Sequence, residues 1–212
     1  MPAAATTAAR PLRELLHGPG GDVTVVRPAD VGGAAAWQTL VREGVLRVLR
    51  GEAACPADRV VDAGLRGTVL AADVPHGAVV TARTATWVRT GCGRPDPLDL
   101  TYPAGRHRPD RPTGARLWQA RLLGPDVRDV GGVAVTTTQR TLVELVLHGT
   151  DPAETVDLAV ALLRAGARVE EAHGSISART RVAARARAHD LLDAAAAVLD
   201  PDGARAPADC PA

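Results

Sequence analysis

The sequence predicts an α+β chain, with a winged helix-turn-helix at its N-terminus and then a mixed strand/helix domain that ends in helices. Three observations carry that reading. Two short helical segments joined by glycines run directly into a β-favouring stretch, Val45–Gly51, punctuated by Arg47 and Arg50. After Gly91 the pattern changes, and Leu98-Asp99-Leu100-Thr101-Tyr102 alternates as a strand does. From Thr141 onward, helix starts with side-chain caps take over.

The elements follow in order. Residues 1–10 read as a disordered leader, and Pro11–His17 as a short helix with proline in its first turn. A second short helix surrounds Arg27–Val31 and stops at Gly32-Gly33. A third spans Ala34–Glu43, with Trp37, Leu40 and Val41 on one face and Gly44 as its terminator. Val45–Gly51 follows as the strand and tip of a basic wing. Pro56–Ala72 and Thr81–Arg89 are expected as connecting helices, closing an N-terminal region of residues 11–94.

An α+β domain over 95–200 comes next. Its strands are expected at Leu98–Tyr102, Arg116–Leu122 and Val133–Thr137, with a Pro/Arg/Gly-rich loop at Pro103–Gly114. Thr141-Leu142-Val143-Glu144 has capping-box spacing. Asp151-Pro152-Ala153-Glu154 supplies an Asp cap, a proline at the first helical position and the boxing glutamate. A last Ala-rich helix is expected over Arg181–Leu199, with a disordered tail at 201–212.

Composition narrows the function classes. Of 212 residues, 46 % are hydrophobic, too many for a disordered chain, yet only 2 % are aromatic, so leucine, valine and alanine must build the core. No apolar run reaches the ~18 residues of a membrane span, and Met1–Arg10 lacks the basic head and apolar run of a signal peptide. Cys55, Cys92 and Cys210 are scattered and odd in number, which argues against a disulfide framework. The expectation is a soluble, cytoplasmic protein with no membrane partner.

The net charge is only +1 and every basic residue beyond histidine is arginine. Two stretches are locally basic: His76–Arg121 holds eight arginines against three acids, and Arg179–Arg187 holds four against none. Either could grip phosphates, or be a face whose counter-charges sit elsewhere in the fold.

Enzyme signatures are missing. There is no Walker loop, GxSxG, HExxH or CxxC. Gly91-Cys92-Gly93 could present a thiol, but no histidine is positioned to activate it. Glu170-Glu171-Ala172-His173 reads as a solvated helix end rather than a metal site. Gly174-Ser175 lacks the alternating carboxylates of a nucleotidyltransferase, because Asp190 and Asp193 are three apart in a helical context. All six histidines are expected in surface or capping roles. The chain is therefore read as a non-enzyme with no catalytic residue, no metal and no cofactor.

The helix Ala34–Glu43 offers a different chemistry. Gln38 and Arg42 lie one turn apart, opposite the face of Trp37, Leu40 and Val41. Glutamine can read adenine with two hydrogen bonds, and arginine can read guanine or hold a phosphate. Arg47 and Arg50 are placed for the phosphate backbone, which positions a protein without reading sequence. These four residues are the candidate contacts to duplex DNA.

Three stretches resemble the AbiEi-type antitoxins of bacterial toxin–antitoxin pairs. Arg42 through Gly51 is similar to the family's helix-to-wing junction, and Gly77 through Trp87 to its following Ala/Ser-rich segment. The most specific is Asp126-Val127 with Gly131 through Leu142. They occur in the family's order within about residues 12–165. Glu52-Ala53-Ala54 replaces an aromatic wing residue, Thr138 stands where proline is usual, and Glu144 where aspartate is. The resemblance implies a winged helix that binds its own promoter and autorepresses an operon of the type IV AbiE-like kind. It also implies a C-terminal domain that counters a nucleotidyltransferase-type toxin. The competing reading is a non-catalytic interaction module, or a truncated remnant of nuclease-bearing relatives, that no longer binds DNA.

Overall fold

The protein is α+β. A computed structural model describes residues 25–108, 112–179 and 184–199. The expected leader, the helix at Pro11–His17 and the tail at 201–212 lie outside the described residues. The chain divides into two compact units, Met1–Leu65 and Arg66–Ala212.

In the first unit, a 3-10 turn at Pro28–Val31 leads through Gly32 and Gly33, both at positive φ, into α1 (Ala34–Arg42). Asp30 accepts the Arg27 N–H at 2.8 Å and so fixes the entry to the turn. Strands β1 (Leu46–Arg50) and β2 (Ala53–Pro56) form an antiparallel hairpin that turns at Gly51-Glu52. Val26 pairs with Ala54 through two backbone hydrogen bonds of 2.8 and 2.9 Å, which lays the chain before the 3-10 turn against β2. Val26, Leu46 and Ala54 make a small core, and Trp37, Leu40 and Val41 of α1 close over it. The third helix, its buried face and the basic strand thus sit where the periodicity put them. The sequence reading of a helix from Pro56 fails. β2 occupies Ala53–Pro56, and α2 (Ala63–Leu70) begins only after Asp62 accepts the Leu65 N–H at 2.8 Å.

The second unit carries a five-stranded sheet in the order β5-β4-β3-β7-β6. Its strands are β3 (Val79–Val80), β4 (Asp99–Pro103), β5 (Arg116–Ala120), β6 (Val127–Val130) and β7 (Val133–Thr136). β3 runs antiparallel to β4 and parallel to β7, so residues before Gly91 belong to the same sheet as those after it. The boundary expected near Arg94 therefore moves to Leu65/Arg66. α3 (Ala82–Thr90) follows β3 directly and ends at Gly91 in the left-handed conformation.

Four helices complete the unit: α4 (Thr138–His148), α5 (Pro152–Arg164), α6 (Val169–Ser177) and α7 (Arg185–Val198). Leu142, Leu145, Leu162, Ile176 and Leu192 are their largest fully buried apolar side chains. Asp151 caps α5 as its sequence requires, accepting the Ala153 N–H at 2.9 Å. α4 starts earlier than its apparent capping box. Thr137 caps it by accepting the Arg140 N–H, and Thr141 and Glu144 become fully buried interior residues. No helix among the described residues is long and apolar enough to cross a membrane.

Candidate functional site

The four residues expected to meet DNA lie on α1 and β1. Gln38 and Arg42 are exposed on the face of α1 opposite Trp37, Leu40 and Val41. Arg42 Nη2 reaches Thr39 Oγ1 at 3.4 Å, one turn back on the same helix. Arg47 is exposed on β1, where its Nη2 donates to the Arg59 carbonyl at 2.5 Å. Arg50 is half-buried near the end of the hairpin, and the Glu52 carboxylate is exposed at its turn. The register pairs Arg47 with Cys55 and Arg50 with Ala53, with an irregularity between Val48 and Arg50. A helix edge and a strand edge of one unit thus carry three arginines and one glutamine. The thiol of Cys55, the register partner of Arg47, is free and buried.

Several arginines of the two basic stretches of the second unit are taken up by the fold. Arg116 holds Asp99 with two hydrogen bonds of 2.6 and 2.7 Å, and Asp99 is fully buried. Arg89 donates to the Thr136 carbonyl at 2.5 Å, and Arg83 approaches Glu154 at 3.6 Å. Arg187 donates to the Gly149 carbonyl at 2.8 Å, and Arg185 to the Arg179 carbonyl. Arg181 lies outside the described residues. Counter-charges and carbonyls elsewhere in the fold account for Arg83, Arg89, Arg116, Arg185 and Arg187, whereas Arg94, Arg106, Arg108 and Arg121 are exposed.

Glu144 is the centre of this internal network. Its Oε1 accepts from Arg140 and Arg179, each at 2.8 Å. Its Oε2 accepts from Trp118 Nε1 at 3.1 Å and faces His148 Nε2 at 3.4 Å. Burial pushes the carboxyl up. The His148 hydrogen bond and the charges of Arg179 and Arg140 outweigh it and hold the group well below the ordinary carboxylate range. A carboxylate so fully engaged has no lone pair left for a substrate, and its work is to join α4, β5 and the chain after α6.

A second polar cluster was not legible in the sequence. His173 and Ser177 on α6 meet His189 and Asp193 on α7. Each helix contributes an i,i+4 pair, a spacing that places both side chains on one face. The signal was present as two such pairs, but nothing in one sequence says that their helices face each other. The expectation of separate surface histidines is corrected at His173 and His189. Glu170 and Glu171 do sit exposed in the first turn of α6, as a solvated helix end. Among the described residues, no group of three or more His, Cys, Asp or Glu side chains is arranged to hold a metal ion.

No protein-family model matches the chain, and no curated protein matches it. Among solved structures, it is similar to the crystal structure of the RV2827C protein from Mycobacterium tuberculosis. The identity is 20 %, over 81 % of this chain and 72 % of that one, with a TM-score of 0.40.

Proposed function

We propose that the protein is a non-enzymatic, DNA-binding transcriptional regulator, the autorepressing antitoxin of a type IV AbiE-like pair. In this reading the first unit is a winged helix. The 3-10 turn and α1 are the paired helices, α1 enters the major groove, and the β1–β2 hairpin is the wing.

The observation that carries the reading is the Val26–Ala54 pairing. It gives the order bridged residue, 3-10 turn, helix, strand, strand, with Val26 bridged to the last strand. The hairpin is thereby held to the base of the helix whose outer face bears Gln38 and Arg42. That frame puts a polar helix edge and a basic strand edge on one small body, which suits a groove and its flanking phosphates. The second unit is left to meet a nucleotidyltransferase-type toxin.

Salt titration of the full chain on the duplex upstream of its own gene tests the reading. Affinity is expected to fall steeply and linearly in log salt. Flat or absent binding, there and on generic duplex, would remove the regulator.

One observation favours a protein-interaction module instead. Val48 on the hairpin is 41 % exposed and Val60 beyond it 81 %, beside the Glu52 carboxylate, which repels phosphate. That module would show no salt-dependent DNA binding.

A further inference from the structure

One end of the five-stranded sheet gathers arginines that the fold leaves open. β4 and β5 run parallel, with Pro103 and Ala120 as their last register partners. The Ala104 N–H donates to the Ala120 carbonyl at 3.1 Å, and the Arg106 N–H to the Pro103 carbonyl at 3.2 Å. Arg106 is thereby turned back over the end of β4, and Arg121, the first residue after β5, leaves from the same end. Arg108 follows Arg106 by two. All three side chains are exposed, as is His107 between the first two. Their guanidinium groups make no hydrogen bond or ion pair with another described residue.

The charge at this end is one-sided. Described residues 100–108 and 112–125 hold four arginines and no aspartate or glutamate. Of the four, Arg116 is taken up by Asp99, at the opposite end of the strand pair. Tyr102 and Gln119 are register partners one step before the basic end, so their side chains leave the same face of the sheet. Gln119 is exposed and Tyr102 half-buried, which adds an amide and a hydroxyl donor. A guanidinium with no acid in reach keeps its fork of N–H donors for a ligand, and that fork matches phosphate. Several exposed cations spread over a strand end suit a row of anions rather than one, and a row of phosphates is a nucleic-acid backbone.

We propose that Arg106, Arg108 and Arg121 form a second phosphate-gripping surface, on the second unit, which holds duplex DNA by its backbone without reading bases. This surface rests on the regulator reading, which supplies the duplex, and it adds the second unit to the binding. Tyr102 and Gln119 donate neutral hydrogen bonds to the same phosphates. Such contacts displace counter-ions, so they steepen the salt dependence and leave the preference between sequences untouched.

The test is a salt series of the full chain on the duplex upstream of its own gene and on a random duplex. Arg106→Gln, Arg108→Gln and Arg121→Gln combined should lower the slope of log affinity against log salt by about two to three units on both. The affinity ratio between the duplexes should stay as it is in the wild type. Arg121→Gln alone should lower the slope by about one unit. Arg164→Gln, at an exposed arginine that ends α5, should leave it unchanged. Circular dichroism verifies that each variant is folded. A wild type with a steep slope that the triple variant keeps, or that Arg164→Gln lowers as much as Arg121→Gln, overturns this surface and leaves the regulator reading standing. A wild type without salt-dependent binding overturns both.

Discussion

Arg179 donates from Nη2 to Glu144 Oε1 across 2.8 Å, joining the chain just after α6 to the middle of α4. Glu144 is completely buried, and three other side chains share its two oxygens. The energetic weight of such a group lies in what its removal leaves behind. Arg140 and Arg179 are 14 % and 24 % exposed, so without Glu144 two poorly hydrated cations would face each other.

Glu144→Ala is accordingly expected to cost about 3–5 kcal/mol of unfolding free energy, read from urea denaturation. Glu144→Gln keeps the shape but not the charge, and should fall between the alanine variant and the wild type.

The same carboxylate sets a pH dependence. Its folded form titrates well below the ordinary value of 4.5, so its stabilisation is fully present above that value. Stability is lost as pH falls from there toward the folded value. Wild-type unfolding free energy should therefore decline more steeply below pH ~4.5 than that of Glu144→Gln. Parallel curves for the two proteins would show that the carboxylate is not the group responsible.

Asp99 gives a second, independent case. It is fully buried, is held by both ends of the Arg116 guanidinium, and accepts the Arg83 backbone N–H at 3.2 Å. Asp99→Asn should cost about 2–3 kcal/mol by denaturation, less than Glu144→Ala because the abandoned Arg116 is 31 % exposed and can rehydrate.

These two carboxylates also mark where sequence reasoning stops. Local signals were strong where one segment settles its own structure. The Asp151-Pro152 start of α5, the Trp37/Leu40/Val41 face of α1 and the alternation of β4 all lie where their spacing placed them. Glu144 looked like a capping residue because Thr141 precedes it by three, but Thr137 takes the cap and the helix carries Glu144 inward. What decides its role is Arg179, 35 residues away, and no local pattern holds that contact. β3 and β6, at two and four residues, are too short to show a period and exist because β4 and β7 pair with them. The candidate DNA-contacting residues were readable as an exposed helix edge, whereas the His173–His189 contact needed two helices to be packed first.

A glycine in α2 reports on close packing. A Cβ on Gly67 would collide with the backbone carbonyl of Val130, which cannot rotate away as a side chain would. Gly67→Ala is expected to destabilise by about 1–3 kcal/mol. Gly174, inside α6, has nothing within 4 Å of its Cβ position. Gly174→Ala should stabilise by about 0.5–1 kcal/mol, because alanine loses less backbone entropy in a helix. Thermal melts of the two variants should shift in opposite directions.

The division of labour proposed for the first unit has the most specific consequence. Gln38 projects from the exposed face of α1, and Arg50 stands near the tip of β1. If α1 lies in the major groove, Gln38 meets base edges while Arg50 meets phosphate. Gln38→Ala should then cost about 1–3 kcal/mol on the preferred upstream duplex and almost nothing on random DNA. Arg50→Ala should weaken binding to both duplexes alike and lower the slope of log affinity against log salt by about one unit. Arg42, one turn beyond Gln38 on the same face, should resemble Gln38 if it reads guanine and Arg50 if it holds phosphate. The measurement is a salt series on both duplexes for the wild type and the three alanine variants. Equal losses on both duplexes for Gln38→Ala would remove α1 as the reading helix, and an unchanged slope for Arg50→Ala would remove the hairpin as a phosphate clamp.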